Sequence, residues 1–323
     1  ILTLNNNLDT EKVRSFLAVT KDPGQKLEIV DHFETDEGKV FEIETKSRFG
    51  FSAVESLCKI IRDNNIDLIH SHGYKSDILG IIAAKKTGIK SISTPHGFGE
   101  HHDFKLRLYI ALGKRSLRYF DRVVPLSQQL VDENAESGVP TNKIKFIRNA
   151  VDLKEVETFT GERKTGRSSS SFTIGYIGQI IERKNVDHII DVFESFWQKN
   201  KSGHLIIVGD GKERERVQSY AESLPSAVNI TFTGFRNDRL QILSKLDMFV
   251  MTSSMEGIPR CIMEAIAMGV PVVAYDIPGV DQVIKHEETG LLAEYGDKEK
   301  LESAWQRLLD NEGYAVSLAE NGR

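Results

Sequence analysis

Short apolar runs alternate with longer stretches of helical periodicity along the whole chain. In the first half, the runs that fit buried strands are Ile1–Leu4, Leu27–Asp31, Leu68–His70, Ser91–Ser93, Arg122–Leu126 and Lys145–Ile147. Apolar residues at helical spacing fill most gaps, as in residues 53–64 and 76–86. Strands separated by helices are typical of parallel sheets that are covered on both faces.

A polar stretch interrupts this alternation, which then begins again. Residues 154–171 are charged and polar and end in four consecutive serines, so we interpret them as a linker or loop. Beyond them the strand-like runs are Phe172–Gly178, His204–Val208, Asn229–Thr233, Met248–Met251, Val270–Ala274 and Thr289–Leu292. The pattern predicts an α/β protein with two doubly wound, Rossmann-like domains that face each other across a cleft. Ligands of such sheets bind outside the carboxyl ends of the strands.

Composition and charge narrow the class of protein. The chain is 40% hydrophobic and 28% charged, as soluble globular proteins are, and no apolar run is long enough to span a bilayer. Residues 1–150 hold 22 basic and 20 acidic residues (+2), whereas residues 151–323 hold 20 and 27 (−7). This charge pattern excludes a basic nucleic-acid-binding protein and suits a first half that meets an anionic acceptor or membrane surface. Cys58 and Cys261 are expected to be reduced thiols of a cytoplasmic protein.

Several familiar site patterns are present only in part. Residues 161–168 nearly spell a phosphate-binding P-loop, but Arg167 replaces the required Lys and no strand precedes it. Gly209-Asp210-Gly211 begins a dinucleotide fingerprint, but Arg214 stands at the third glycine, which favours a tight turn. The histidines lack a carboxylate or cysteine at zinc-ligand spacing, and they are His70, His72, His96, His101 and His102. No Asp-x-Asp triplet occurs, so we expect neither a metal nor another cofactor.

The segment Ser253–Ala265, SSMEGIPRCIMEA, carries the strongest chemical signal. It follows an apolar strand, and Pro259 suits the first turn of a helix, where its missing N–H costs nothing. The free N–H groups at such a helix start form a diphosphate site that the helix dipole strengthens. Glu256 lies in the loop beside this site. Glu264, on the helix, can accept hydrogen bonds from a ribose diol.

This segment resembles the Glu-x7-Glu motif of the family 4 retaining glycosyltransferases, which have the GT-B architecture. Further motifs follow in the same order: DLIHSHGYKSD at 67–77, TPHG at 94–97, NAVD at 149–152, VGDG at 208–211, TG at 233–234 and TGL at 289–291. The resemblance implies an acceptor-side domain at 1–150, a linker at 151–171 and a nucleotide-sugar domain at 172–310. Residues 311–323 would then begin a helix that crosses back onto the first domain.

The resemblance also implies roles for individual residues. Glu256, His96 and Lys184 would be catalytic, since they fall where the family contacts the donor sugar and its phosphates. The remaining donor-binding positions would be Arg183, Gly257, Ile258, Pro259, Arg260, Glu264, Gly178, Gly209, Gly211 and Gly234. His72, Tyr74 and Lys75 would lie on the acceptor side. Fixed cations and helix N–H groups can stabilise a leaving diphosphate without a metal.

The chain departs from the family pattern at several positions. Gln179 stands where the phosphate loop usually has Arg, and Asn185 stands where Gly usually follows the Lys. Gln282 replaces an acidic residue that often closes the donor pocket. The Gly-Gly loop expected near the start is replaced by residues 5–11, NNNLDTE. Arg183 supplies a positive charge beside Lys184, in place of the charge lost at Gln179.

A basic stretch in the first half suggests contact with a membrane. Arg107, Lys114, Arg115, Arg118 and Arg122 would share a stripe of about 100° if residues 104–122 formed one helix, with Lys105 outside it. Such a helix can lie on anionic lipid at the inner face of a membrane. An ordinary solvated basic face explains the same pattern.

Together these features predict a retaining, metal-independent glycosyltransferase that uses a UDP- or GDP-sugar. The acceptor would be a glycan or a lipid-linked glycan of the cell envelope, with no nucleic acid involved. A sugar-nucleotide epimerase on the same fold and a non-catalytic nucleotide-sugar-binding module are the alternatives.

Overall fold

A computed structural model describes residues 2–21, 24, 28–31, 33, 39–45, 51–96, 104–161 and 172–323. The chain forms two compact units, Ile1–Arg148 and Asn149–Arg323. No helix in the described ranges has the length and apolar character needed to cross a membrane.

The first unit contains two small parallel sheets. Its helices are α1 Leu2–Asn6, α2 Glu28–Asp31, α3 Phe51–Asp63, α4 Tyr74–Thr87, α5 Phe104–Ser116 and α6 Gln128–Glu136, and its strands are β1 Leu17–Lys21, β2 Val40–Glu44, β3 Leu68–Ser71, β4 Lys90–Ser93 and β5 Arg122–Val123. Strand β1 pairs with β2, and β4 lies between β3 and β5.

Helix α3 forms because its apolar residues recur at helical spacing and bury one face. Val54, Leu57, Cys58 and Ile61 are buried in a cluster that includes Leu79 of α4. Gly88 caps the carboxyl end of α4, and its left-handed conformation (φ 75°) lets its N–H donate to the carbonyl of Ala84. The turn returns the chain to β4, beside β3.

The second unit is built on one parallel six-stranded sheet in the order β11-β10-β9-β6-β7-β8. Its strands are β6 Thr173–Ile177, β7 His204–Val208, β8 Ile230–Gly234, β9 Met248–Met251, β10 Val272–Asp276 and β11 Leu291–Glu294. Its helices are α7 Leu153–Thr160, α8 Val186–Asn200, α9 Arg214–Glu222, α10 Arg239–Leu243, α11 Arg260–Met268, α12 Lys298–Asp310 and α13 Glu312–Gly322.

The strand order creates a switch point in the middle of this sheet. The chain moves outward from β6 through β7 to β8, then returns to β9 and moves outward the other way through β10 to β11. Strands β6 and β9 are neighbours, so the segments after Ile177 and after Met251 start side by side at their carboxyl ends. The two loops then run in opposite directions, and α/β sheets bind ligands at such a point.

Three expected strands of the first unit are wrong. Residues 2–6 and 28–31 form helices, and Lys145–Ile147 forms no strand, although the N–H of Lys145 donates to the carbonyl of Val123. Apolar runs this short do not distinguish a strand from a helix. The first unit instead has a two-stranded sheet of β1 and β2, in which charged residues such as Glu42 and Glu44 alternate with apolar ones.

The polar stretch after residue 153 is not a simple linker. Residues 153–160 form α7, capped by the Asp152 side chain, with Val156 buried in the core of the second unit. The remainder, 162–171, lies outside the described residues, as does most of the P-loop-like segment. At the other end, α13 packs on α11 and α12, with Leu318 in the same core.

The basic stripe does not follow one continuous helix. Helix α5 ends at Ser116, and a 3₁₀ turn at Leu117–Tyr119 then leads to β5. Burial of both Leu117 and Phe120 forces this change of direction, because both side chains must reach the core. Arg118 donates to the carbonyl of Ser137, and Arg122 lies on the strand.

Gly175 lies on the central strand β6, where it makes room for a neighbouring side chain. A Cβ atom at this position would lie 2.1 Å from Cδ1 of Leu246, far inside van der Waals contact. Both residues are buried, so the sheet and the turn before β9 pack together only because residue 175 has no side chain.

We therefore expect Gly175→Ala to lower the free energy of unfolding by about 1–3 kcal/mol, the usual cost of overpacking a core. Chemical denaturation of the single variants, Gly175→Ala and Leu246→Ala, and of the double variant measures the coupling. Because the smaller residue 246 leaves space, the double variant should lose less stability than the sum of the two. Simple additivity would contradict the steric explanation.

Candidate active site

The loop between β9 and α11 forms one side of the site in the second unit. Thr252 and Ser253 are buried at the end of β9, and the chain then turns outward through residues 254–258. Pro259 is the N-cap of α11, one position before the first helical residue, and no side chain caps the helix start. The first N–H groups of α11 have no carbonyl partner within the helix. An anion placed there would be stabilised by these donors and by the helix dipole.

The loop after β6 forms the other side and brings a cation to this loop. Nζ of Lys184 donates to Oε1 of Glu256 in a short ion pair, and each side chain is only 10% exposed. Arg183 lies 3.5 Å from the same carboxylate oxygen and donates to the carbonyl of Met255. Removing one partner of so buried a pair would leave an uncompensated charge. The structure thus brings together three residues that the sequence assigned separately.

Backbone contacts fix the position of Lys184. Oγ1 of Thr252 donates to the carbonyls of Lys184 and Asn185, at 3.0 and 2.9 Å. Nδ2 of Asn185 donates in return to the carbonyl of Thr252. Asn185 has a left-handed backbone (φ 45°), which Asn tolerates better than most residues, so it replaces the usual glycine without losing the turn.

The predicted donor-binding glycines have a structural reason to be glycine. A Cβ on Gly209 would lie 1.8 Å from the carbonyl oxygen of Gly178, and one on Gly211 would lie 2.2 Å from that of Ile180. Gly234 accepts from the N–H of Gly209 and has a left-handed backbone. These residues let the loops after β6, β7 and β8 contact one another through their backbones. Those contacts determine the path of the loop that carries Lys184.

The loop that carries Glu256 is held in the same way. Gly279, in the turn after β10, approaches so closely that its Cβ would lie 1.6 Å from the carbonyl oxygen of Gly257. On the other side, Nδ2 of Asn149 donates to the carbonyl of Ile258. The Asn-Ala-Val-Asp motif therefore supports this loop with its first residue and caps α7 with its last, Asp152.

Glu264 lies on α11 with only 4% of its side chain exposed, between two arginines. Its Oε1 accepts from Nε of Arg260 at 2.7 Å and from Nε of Arg239 at 3.0 Å. Glu155 of α7 binds the outer edge of Arg239 through two contacts of 3.1 Å. Burial opposes the charge of Arg239, but its hydrogen bond to Glu264 raises its pKa.

Sequence reasoning missed Arg239 and Glu155. They lie 25 and 109 positions before Glu264, and no spacing pattern links residues on three separate helices. Gln282, expected near the donor pocket, is exposed in the turn after β10.

Two further groups border the Lys184–Glu256 pair. The hydroxyl of Tyr176 donates to the carbonyl of Gln179, and it occupies the space that a side chain on Gly178 would need. Burial raises the pKa of the Cys261 thiol to about 11, with Lys184 opposing the shift. The thiol is therefore neutral at ordinary pH and is not a nucleophile.

In the first unit, the carboxyl ends of β3 and β4 gather three histidines. Nδ1 of His72 lies 3.0 Å from Nε2 of His96, and the ring centroids of His70 and His72 lie 4.3 Å apart with the rings tilted by 35°. Partial burial, followed by the nearby His70 and His96, lowers the pKa of His72 to about 3. The pKa of His96 is also lowered by desolvation. These imidazoles are neutral at pH 7 and can exchange hydrogen bonds with hydroxyl groups.

A buried carboxyl group supports this histidine cluster. Asp77 accepts from the hydroxyls of Ser71 and Ser93, at 2.5 and 2.7 Å, and so ties β3 to β4. Its pKa is raised by desolvation, with the two hydrogen bonds opposing the shift. Nearby, Tyr74 begins α4 and packs against Gly113, and Nζ of Lys75 donates to Oγ1 of Thr45.

The histidine cluster of the first unit lacks further metal-ligand side chains within the described residues. Among them, no three or more His, Cys, Asp and Glu side chains are arranged to hold a metal ion. His101 and His102 lie outside the described residues, as does Gly97 of the TPHG motif.

The two halves of the chain match two family profiles. The profile described as "Glycosyl transferases group 1" matches residues 159–323, and the "Glycosyltransferase Family 4" profile matches residues 1–155. The UDP-Gal:α-D-GlcNAc-diphosphoundecaprenol α-1,3-galactosyltransferase of Escherichia coli is 28% identical over 79% of this chain and 70% of its own length. An N,N′-diacetylbacillosaminyl-diphospho-undecaprenol α-1,3-N-acetylgalactosaminyltransferase of Campylobacter jejuni is 26% identical over 82% and 73%.

Solved structures share the fold. HepE of Anabaena, crystallised with UDP and glucose, superposes with a TM-score of 0.75 at 19% identity, covering 96% of this chain and 94% of its own. The predicted two-domain α/β architecture is thereby confirmed. Since the group 1 profile alone spans half of the sequence, the chain belongs to the glycosyltransferases, as a family 4 member with the GT-B fold.

Proposed function

We propose that this glycosyltransferase moves a sugar from a nucleotide diphosphate onto a lipid-linked or other envelope glycan, with retention of configuration and without a metal. The observation that carries the proposal is the buried Lys184–Glu256 pair beside the uncapped start of α11, with Glu264 on the same helix. A cation, helix N–H groups and two carboxylates thus lie at the switch point of one sheet. The cation and the N–H groups can bind a diphosphate, and the carboxylates can bind the hydroxyl groups of a nucleotide sugar.

The donor would bind along α11. Its diphosphate would meet the helix start around Gly257 and Arg260 together with Lys184 and Arg183, so that no metal is needed to balance its charge. Its ribose would be held by Glu264. The nucleotide bound to the HepE structure is UDP, which makes UDP-sugars the first donors to test.

The sugar of the donor would lie beside Glu256. The bond from the anomeric carbon to the diphosphate oxygen breaks, and the electron pair leaves with the diphosphate. The acceptor hydroxyl forms the new bond on the same face of the sugar, and its proton passes to the departing diphosphate. Glu256 would stabilise the positive character that the sugar gains, and His96 would donate a hydrogen bond to a sugar hydroxyl.

The acceptor is proposed from two relatives, whose names each include a sugar on diphosphoundecaprenol. Such a lipid stays in the membrane, so the enzyme must reach the membrane surface. The exposed face of α5 suits this contact, because Leu108 and Leu112 are 54% and 47% exposed and Arg107 and Arg115 lie on the same side. Apolar side chains beside basic ones are typical of helices that lie in an anionic lipid interface.

The two glutamates should affect the kinetics differently. Glu256→Gln should lower kcat by about a hundredfold and change KM little, because the charge acts in the transition state and its loss frees Lys184 for the donor phosphates. Glu264→Gln should raise KM by about tenfold with a smaller change in kcat, since the ribose is bound equally strongly in the ground state and in the transition state. Steady-state kinetics with a UDP-sugar, beside thermal melts, measures both.

Glu320→Gln, at an exposed position of α13, is the matched control and should behave as wild type. A wild-type kcat for Glu256→Gln would show that Glu256 does not act on the reacting sugar. If both site variants lost melting temperature, affinity and turnover in parallel, the acids would only support the loop.

Transfer should continue in the presence of a chelator. Lys184, Arg183 and the α11 start can together neutralise the diphosphate, so activity measured in excess EDTA should stay within about twofold of the untreated enzyme. Addition of Mn²⁺ after chelation should change nothing. Activity that vanished with EDTA and returned with Mn²⁺ would refute the metal-independent mechanism.

Membrane contact should depend on the apolar part of the α5 face. Leu108→Ser with Leu112→Ser should reduce binding to vesicles that contain anionic phosphatidylglycerol by about tenfold or more, since each buried leucine contributes on the order of 1–2 kcal/mol. Co-sedimentation at low and at high salt separates this loss from the screened contribution of Arg107 and Arg115. Val228→Ser, an equally apolar exposed position in the second unit, should have no effect. Unchanged binding of the double variant would exclude α5 as the contact.

A further inference from the structure

Arg239 joins three helices of the second unit through two carboxylates. It begins α10, its Nε faces Glu264 of α11, and its NH2 group faces both oxygens of Glu155 on α7. Arg260 closes the network, with Nε on Glu264 and NH2 at 3.7 Å from Glu155. Two positive and two negative side chains therefore balance one another around a carboxylate that is almost fully buried.

The two oxygens of Glu264 are not equally occupied. Oε1 accepts from both arginines, at 2.7 and 3.0 Å. Among the described residues, Oε2 accepts only the longer contact from Nε of Arg239, at 3.2 Å. A carboxylate oxygen can accept about two hydrogen bonds, so Oε2 retains most of its accepting capacity. The network holds one oxygen and leaves the other available.

The buried Glu264 carboxylate lies against two cations. A carboxylate with 4% exposure pays a large desolvation cost unless cations compensate it, and Arg239 and Arg260 do so. Arg260 is an (i, i+4) neighbour on the same helix and 42% exposed, so it is the more solvated of the two. Arg239 is 25% exposed and is clamped from behind by Glu155, which makes it the fixed support.

We propose that Arg239, held by Glu155, is a positioning residue that orients Glu264 so that its Oε2 accepts hydrogen bonds from the ribose hydroxyls of the donor. This inference rests on the proposed donor site and adds a residue to it. Arg239 acts through Glu264 and does not touch the reacting sugar. The site then selects ribonucleotides over nucleotides without ribose hydroxyls because the acceptor oxygen is fixed before the donor arrives.

The geometry requires arginine at this position. The guanidinium presents Nε to one carboxylate and NH2 to the other from a single plane. A lysine ammonium is a single point charge and cannot contact both carboxylates in this geometry. Arg239→Lys should therefore restore charge without restoring the orientation, and its effect should lie between that of wild type and that of Arg239→Gln.

The test compares two nucleotides that differ only in the hydroxyls. UDP and 2′,3′-dideoxyuridine diphosphate are titrated into the full chain by calorimetry, with thermal melts alongside. Wild type should prefer UDP by at least about tenfold. Arg239→Gln should weaken UDP binding about tenfold and leave the dideoxy analogue within twofold, so that the preference disappears. Arg216→Gln is the control, since Arg216 also bridges two carboxylates, Glu213 and Asp187, on the same unit.

Glu155→Gln provides a second variant that removes the clamp from a partly exposed residue and so should not threaten folding. It should reduce the preference for UDP in the same direction, by about threefold. In a Glu264→Gln background, Arg239→Gln should have no further effect on the preference, because the two residues act as one unit.

Other outcomes would overturn the inference. An equal loss for both nucleotides would show a structural role alone, and tighter UDP binding by Arg239→Gln would show that Arg239 competes with the ribose. An unchanged preference in both Arg239→Gln and Glu155→Gln would remove them from the ribose site while leaving the proposed function intact. If the wild-type chain bound neither UDP nor GDP, the proposed function itself would fail, and the inference with it.

Discussion

The pairing of Lys184 with Glu256 depends on how closely the backbone can approach itself at the carboxyl ends of the central strands. The loops after β6 and β7 touch at Gly178 and Gly209, and the loop before α11 touches the turn after β10 at Gly257 and Gly279. Any side chain at Gly209 or Gly279 would push these loops apart. The glycines therefore determine where the charged residues lie, although they carry no charge themselves.

Charge balance follows from this close packing. Side chains held so near the sheet lose most of their water, and an unpaired charge there would be costly. The second unit solves the problem twice, with Lys184 opposite Glu256 and with Arg239 and Arg260 opposite Glu264 and Glu155. In both networks the opposite charges lie within ion-pair distance of one another.

The first unit uses neutral groups instead. His72 and His96 lie close together and lose affinity for protons as they lose water, so they remain hydrogen-bonding groups without charge. Asp77 is buried and joins β3 to β4 through two serine hydroxyls. The two units therefore differ in chemistry, with neutral hydrogen-bonding groups gathered in the first unit and paired charges in the second.

By itself, the sequence determined the family, through its ordered motifs, and the α/β architecture, through its apolar periodicity. It also marked the segment around Glu256 and Glu264 as the candidate site, because a Gly-Pro helix entry is a local signal. It failed where the signal was short or mixed, as in the helices at residues 2–6 and 28–31, the charged strands β1 and β2, and the end of α5 at Ser116. Only the tertiary structure decided that Lys184 faces Glu256 and that Arg239 faces Glu264. The partners lie 72 and 25 positions apart, and which side chains meet across such separations depends on strand order and on backbone contacts that no local pattern contains.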